Sequence, residues 1–187
     1  MGLTLVALDR DVIFAELARG DAAVSTTERG DALEDLIVYL FESIPGISDT
    51  HRKVRNPGNV GEIDVAFWND GIVDGLRGFD TFILIECKNW SSPVGYEEIV
   101  VFHDKLASRG RSFGIMVAAS GVTGDATSRS AAHHALFSYL RAGREVVVLT
   151  RCEIEQLADT AELVRLLIKK RLALTLGGEI YLGPLCE

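Results

Sequence analysis

Apolar and polar residues recur along the chain with two different periods, which predict where helices and strands lie. From about Glu28 to Ser43 the apolar positions are spaced i, i+3, i+4, i+7 and i+8, as on the buried face of a helix. That face consists of Leu33, Leu36, Ile37, Leu40 and Phe41. A shorter helix before it is predicted to end at Gly20, followed by a polar connection.

The next three segments have features of strands. The alternation is weak in residues 48–55 and clear in residues 60–68, where Asp64 faces opposite to Ile63 and Val65. Residues 81–90 read TFILIECKNW, and the apolar run that begins this segment predicts a buried strand. Short turns separate the three strands, which indicates an antiparallel meander.

The second half of the chain alternates helices with strands. Helices are predicted at 95–108, from about 125 to 142, and at 153–170, with strands at 112–119 and 145–150. Strands joined by helices indicate parallel crossovers, so the fold class is α/β, a mixed central sheet flanked by helices. We predict an N-terminal helical extension (1–27), a core (28–150), and a C-terminal helix and tail packed on the core (151–187). In the tail only a short strand near Glu179–Leu182 is suggested.

Composition narrows the class of protein. The chain has 187 residues, fits one domain, and carries a net charge of −8, which gives no overall attraction to nucleic acid or anionic membranes. Any phosphate binding must therefore come from a local patch or a metal. Three widely spaced cysteines predict free thiols in a reducing cytoplasm. No leader-like or membrane-spanning apolar segment is evident, so we expect a cytoplasmic protein without a membrane partner.

The candidate chemistry lies where the second and third strands meet. Asp64 is on the second strand, and Glu86 and Lys88 leave the third strand on one face. If the strands pair, the two carboxylates converge and repel each other unless a cation lies between them. Mg²⁺ binds such oxygens, and the backbone carbonyl of Cys87 is a candidate third ligand. Lys88 could then orient a water nucleophile or stabilise negative charge on a phosphate.

These segments resemble the PD-(D/E)xK nuclease superfamily, and within it the Mrr-like restriction endonuclease group. The similarity covers roughly residues 28–150 and is carried by Gly61–Val65, Ile85–Trp90, Pro93-Val94 with the following helix, and Gly114–Gly121. The resemblance implies a restriction-endonuclease-like core in the order helix, three-strand meander, helix, strand, which agrees with the order predicted from periodicity.

The resemblance also implies roles for individual residues. Asp64 and Glu86 would bind Mg²⁺, for which Mn²⁺ could substitute, Lys88 would be the catalytic lysine, and Glu34 would complete the acidic site. The implied reaction is hydrolysis of DNA phosphodiester bonds, in restriction and defence or in DNA processing. A double-strand cut needs two such sites, so a homodimer is expected. The proline often found before the first acid is Ile63 here, and no separate recognition domain is evident, which suggests a separate targeting partner.

Alternatives remain open at the level of sequence. Arg52, Lys53 and Arg55 form a basic patch that could contact a DNA backbone or simply be a solvated strand face. The chain could be a nuclease-fold module that binds nucleic acid or a partner protein without cutting. Nothing in the sequence separates DNA from RNA as the substrate.

Overall fold

Six helices and five strands make up the part of the chain that the structure describes. A computed structural model describes residues 6–55, 61–123 and 131–177. The helices are α1 Arg10–Ala22, α2 Thr26–Glu42, α3 Tyr96–Ser108, α4 Ala131–Arg141, α5 Arg151–Glu155 and α6 Thr160–Gly177. The strands are β1 Ile47–Arg55, β2 Glu62–Asn69, β3 Phe82–Lys88, β4 Phe113–Ala118 and β5 Glu145–Leu149.

The five strands form one mixed sheet in sequence order, β1-β2-β3-β4-β5. The pairs β1/β2 and β2/β3 are antiparallel, whereas β3/β4 and β4/β5 are parallel. The α/β class and the restriction-endonuclease-like order of a helix, a three-strand meander, a helix and a strand are therefore confirmed. This order agrees with the connections, since β2 and β3 are joined without a helix and run antiparallel, whereas a helical crossover returns the chain in the same direction.

Helices cover both faces of the sheet. On one face Phe41 of α2 stacks on Phe67 of β2, with ring centroids 5.3 Å apart. On the other face α3 packs against β4, where Gly114 leaves room for the side chains of Phe102 and Leu106. The two faces of β2 differ in burial as the alternation predicted, because Ile63, Val65 and Phe67 are buried while the residues between them are half-buried.

An irregularity in strand β1 explains why apolar and polar residues alternate only weakly in residues 48–55. Its pairing with β2 shifts register between Ser48 and His51, and both Asp49 and Lys53 have positive φ angles. A bulge of this kind breaks the two-residue period and exposes successive side chains. Six of the nine residues of β1 are accordingly exposed.

The long helix predicted at 153–170 is wrong, because two helices occupy this region. Thr150 and Glu153 form a capping box that starts α5, and the Asp159 side chain accepts a hydrogen bond from the Glu162 N–H to start α6. Between them the Ala158 carbonyl accepts a 2.9 Å hydrogen bond from the Leu8 N–H. The N-terminal segment is thus tied to the break between the two helices, while the division into domains stays a prediction.

The structure tests the expectations about the cysteines and about membrane-spanning helices, but not the one about the C-terminal tail. The expectation of free thiols is wrong for Cys152, which is disulfide-bonded, whereas Cys87 is a free thiol. The strand suggested at Glu179–Leu182 lies outside the described residues. Within the described residues no helix has the length and apolar character needed to cross a membrane.

Candidate active site

Asp64 and Glu86 lie side by side on one face of the sheet. Val65 of β2 pairs with Ile85 of β3 in an antiparallel register, which places the next residues of each strand, Asp64 and Glu86, opposite each other. Since Phe67 packs on α2, the face that carries Asp64 and Glu86 points to the other layer, that of α3. The meander therefore brings the two acids together as the sequence predicted.

The carboxylate of Asp64 is held in a partly buried, electrostatically unfavourable position. Its Oδ2 accepts a 2.7 Å hydrogen bond from the backbone N–H of Cys87. Burial, followed by the charge of Glu86, raises the pKa of Asp64 to about 6, although the Cys87 N–H and the ammonium groups of Lys88 and Lys105 oppose this rise. The raised pKa is what two converging carboxylates should show, and it marks a place where added positive charge is favourable.

Glu86 is almost fully buried, with 1% of its surface exposed, and two lysines surround it. The Nζ atom of Lys88 donates a 2.8 Å hydrogen bond to Glu86 Oε1. The Nζ atom of Lys105, on α3, lies 2.7 Å from both Oε1 and Oε2. A buried carboxylate needs such partners, because an unpaired charge in the interior is costly.

Lys88 leaves β3 beside Glu86 and is about one-quarter exposed. Burial by itself would lower the pKa of Lys88, but the charge of Glu86, the hydrogen bond to it and the charge of Asp64 outweigh burial and raise the pKa above its ordinary value. The Trp90 ring lies near this ammonium group, with Nζ 5.6 Å from the ring centroid. Lys88 is therefore a protonated hydrogen-bond donor at neutral pH, suited to stabilising negative charge.

Lys105 is the residue of this site that the sequence interpretation missed. Lysine is seldom buried, yet only 8% of the Lys105 surface is exposed. Its position three residues after the inward-facing Phe102 places it on the buried side of α3, and this spacing was the signal that could have identified it. A lysine on the apolar face of a helix needs a buried carboxylate as its partner, and here that partner is Glu86.

Glu34 is buried on α2 and is bound to Arg52 of β1. Arg52 Nη2 lies 2.9 Å from Glu34 Oε2, and Arg52 Nη1 also contacts Asp35. Arg52 pairs with Val65 in the sheet and so shares the α2 side, away from the Asp64 and Glu86 carboxylates. The described contacts join Glu34 to Arg52 rather than to the two acids, so its role in the active site stays a prediction.

The basic patch of β1 is engaged in ion pairs. Besides the contacts of Arg52, Lys53 Nζ lies 2.7 Å from Asp31 Oδ1 and Arg55 Nε lies 2.8 Å from Glu62 Oε2. The Lys53 and Arg55 pairs are exposed, and such pairs contribute little stability. A DNA phosphate could therefore exchange with these carboxylates, and contact with DNA also stays a prediction for these residues.

The oxygen ligands available suit a hard divalent cation. Asp64 and Glu86 supply two carboxylates, which is the number Mg²⁺ commonly uses when water and substrate phosphates complete its shell. No group of three or more His, Cys, Asp or Glu side chains suited to a metal is present among the described residues. Burial raises the pKa of the Cys87 thiol, as do the charges of Asp64, Glu34 and Glu86, so the thiol stays protonated. Cys87 thus remains a candidate through its backbone carbonyl alone.

The sheet topology and the convergence of Asp64, Glu86 and Lys88 on one sheet face define a restriction-endonuclease-like fold of the PD-(D/E)xK type. The restriction endonuclease family model Mrr_cat matches residues 26–167, well over half of the 187 residues. The chain therefore belongs to this restriction endonuclease family, whose members are nucleases that usually use a divalent metal. A comparison with curated proteins finds no match for the chain.

Proposed function

We propose that the chain is a Mg²⁺-dependent endodeoxyribonuclease that hydrolyses DNA phosphodiester bonds, with Mn²⁺ able to replace Mg²⁺. The observation that carries the proposal is the placement of Asp64 beside Glu86, with the Lys88 ammonium 2.8 Å from Glu86 Oε1. Membership of a restriction endonuclease family supports a nuclease with a DNA substrate. The metal dependence and the position of the metal are our inferences from the two carboxylates.

Each residue of the site has a separate task in this proposal. Asp64 and Glu86, with the Cys87 carbonyl, would hold the divalent ion, which when bound lowers the pKa of water and neutralises charge on the phosphate. Lys88 donates hydrogen bonds to the phosphate oxygens as negative charge develops in the transition state. A water oxygen forms the new bond to phosphorus as the water loses a proton to solvent, the bond to the leaving sugar oxygen breaks, and that oxygen takes up a proton from solvent.

Residues outside this group would act on binding rather than on the chemical step. We propose that Glu34 supports the site indirectly through the negative potential that it exerts near Cys87. Arg52, Lys53 and Arg55 would contact the DNA backbone after exchanging their carboxylate partners for phosphates. DNA binding through these ion pairs should weaken as salt concentration rises, and the net charge of −8 adds no general attraction.

The biological setting is also proposed. A homodimer would supply the two sites that a double-strand cut requires, and a separate partner would supply targeting. We place the protein in the cytoplasm, in restriction and defence or in DNA processing. The free thiol of Cys87 fits this location and the disulfide at Cys152 does not, so location needs its own test by cell fractionation.

Supercoiled plasmid incubated with Mg²⁺ or Mn²⁺ tests the proposed activity. We expect nicked or linear DNA with wild type and with Lys169→Ala, which changes an exposed lysine of α6. Lys88→Ala should lose activity by about 10²-fold or more, as expected when a group that stabilises transition-state charge is removed. Absence of cleavage by wild type on duplex, single-stranded, methylated and branched DNA would instead indicate a non-cleaving binding module, and cleavage of RNA alone would change the substrate class.

A further inference from the structure

Lys105 contacts both carboxylate oxygens of Glu86, one of the two proposed metal ligands. Its Nζ is equidistant from the two carboxylate oxygens, at 2.7 Å from each. The side chains of Lys105 and Glu86 are 11% and 2% exposed, so this is an interior ion pair rather than a surface one. Contact of one cation with both oxygens of a carboxylate is the arrangement of a bidentate ligand.

The surrounding backbone makes room for Lys105. A Cβ atom at Gly61 would lie 2.8 Å from Lys105 Cε and 3.1 Å from its Cγ, so a larger residue here would force the lysine stem to shift. Directly after the end of α3, Arg109 donates hydrogen bonds to the carbonyls of Gly61, at 2.9 Å, and Val54, at 3.2 Å. These contacts hold Val54 and Gly61 near the C-terminal end of α3, beside the slot through which Lys105 reaches Glu86.

We propose that Lys105 is a built-in counter-cation, which holds Glu86 in the metal-free protein and competes with the divalent ion for both of its oxygens. This inference rests on the metal site proposed above. Asp64 and Glu86 contribute two negative charges, and Lys88 and Lys105 contribute two positive ones, so the site is balanced without a metal. A divalent ion added to it is repelled by Lys105 and must share or displace it from Glu86.

Because the two carboxylates and the two ammonium groups already neutralise each other, a metal ion binds weakly unless another negative group binds beside it. A DNA phosphate carries such a charge and would enter beside Lys88. Metal and DNA should therefore favour each other's binding, which would keep the site from retaining a metal when no DNA is present. Lys105 acts here through Glu86 and is a positioning residue, distinct from the proposed role of Lys88 on the phosphate.

Titration calorimetry of DNA-free protein with Mn²⁺ tests the inference. Lys105→Met and Lys105→Gln remove the competing charge, so both should bind Mn²⁺ at least about tenfold more tightly than wild type, the equivalent of one lost charge-assisted hydrogen bond. Lys105→Arg, which keeps the charge, and Lys169→Met, an exposed change on α6, should bind like wild type. Equal or weaker binding by the folded neutral variants would overturn the inference.

Two further measurements separate this inference from the proposed function. If Mn²⁺ binds wild type and binding is lost in Asp64→Asn, the metal site stands, and unchanged affinity in the Lys105 variants then refutes the counter-cation alone. If Mn²⁺ binds none of the proteins, or binds Asp64→Asn as well as wild type, the metal site fails and the inference with it. Should the neutral variants unfold without metal, refolding with Mn²⁺ would support the inference, and failure to refold would overturn it.

Discussion

Replacing Asp64 by Asn should stabilise the metal-free protein at pH 8 and have much less effect at pH 4. The Asp64 carboxyl is partly buried and lies beside Glu86, and its pKa is raised from the ordinary 3.8 to about 6. Above pH 6 the folded protein therefore contains a carboxylate whose charge is unfavourable. Asn has nearly the same shape, can still accept the hydrogen bond from the Cys87 N–H, and carries no charge.

The magnitude follows from the size of the pKa change. At about 1.4 kcal/mol per pH unit, a rise from 3.8 to about 6 is equivalent to about 3 kcal/mol. Because the folded-state pKa is the higher one, this contribution to stability is fully present below pH 3.8 and is lost as pH rises through about 6. Asp64 is only partly buried, and solvent screening reduces the effect, so we expect a gain of about 1–2 kcal/mol for Asn at pH 8.

Urea unfolding in the presence of EDTA measures this difference. Wild type and Asp64→Asn are compared at pH 4 and pH 8, and the change in unfolding free energy between them is the result. Asp11→Asn is the matched control, because Asp11 is exposed in the first turn of α1, where a negative charge is favourable. This control should lower stability slightly at pH 8. A gain for Asp64→Asn that is the same at both pH values, or a loss at pH 8, would refute the electrostatic account.

Three further substitutions test the packing around the site by urea unfolding at pH 7.5. Arg52→Ala should destabilise the protein by about 1–3 kcal/mol, because the buried Glu34 carboxylate loses its partner. Adding Glu34→Gln to this variant should recover part of the loss, and no recovery would contradict the ion-pair explanation. Gly61→Ala should lower the free energy of unfolding by about 1–2 kcal/mol, because Gly61 has φ +71° and an added Cβ meets Lys105. Unchanged stability would show that the slot around Lys105 is not tight. Gly114→Ala should cost about 1–3 kcal/mol by pushing α3 from β4, and a cost below about 0.5 kcal/mol would argue that α3 adjusts freely.

The sequence predicted best those helices and strands whose local pattern of apolar residues fits only one kind of secondary structure. The apolar run of β3 predicted a buried strand, and a connection to β2 that has no helical pattern predicted the antiparallel pairing that places Asp64 beside Glu86. Helix α2 was located by its apolar spacing, and in the structure Ser25 and Glu28 form the capping box that starts it.

The features that sequence analysis missed depend on tertiary contacts. The break between α5 and α6 is stabilised by pairing with the segment near Ala7, more than a hundred residues earlier, and no local pattern encodes that contact. The basic residues of β1 form a patch in the sequence, yet α2 places carboxylates against Arg52 and Lys53. The pairing of Lys105 with Glu86 required knowing which face of α3 meets which face of the sheet.

Diffraction from crystals soaked in Mn²⁺, with data collected near the manganese absorption edge, tests the central claim most directly. The account predicts an anomalous peak about 2.0–2.3 Å from a carboxylate oxygen of Asp64 and from one of Glu86, with Lys105 Nζ moved away from at least one Glu86 oxygen. A peak elsewhere with Asp64 and Glu86 unchanged, or no peak in crystals of a DNA complex at Mn²⁺ concentrations that support DNA cleavage, would contradict it.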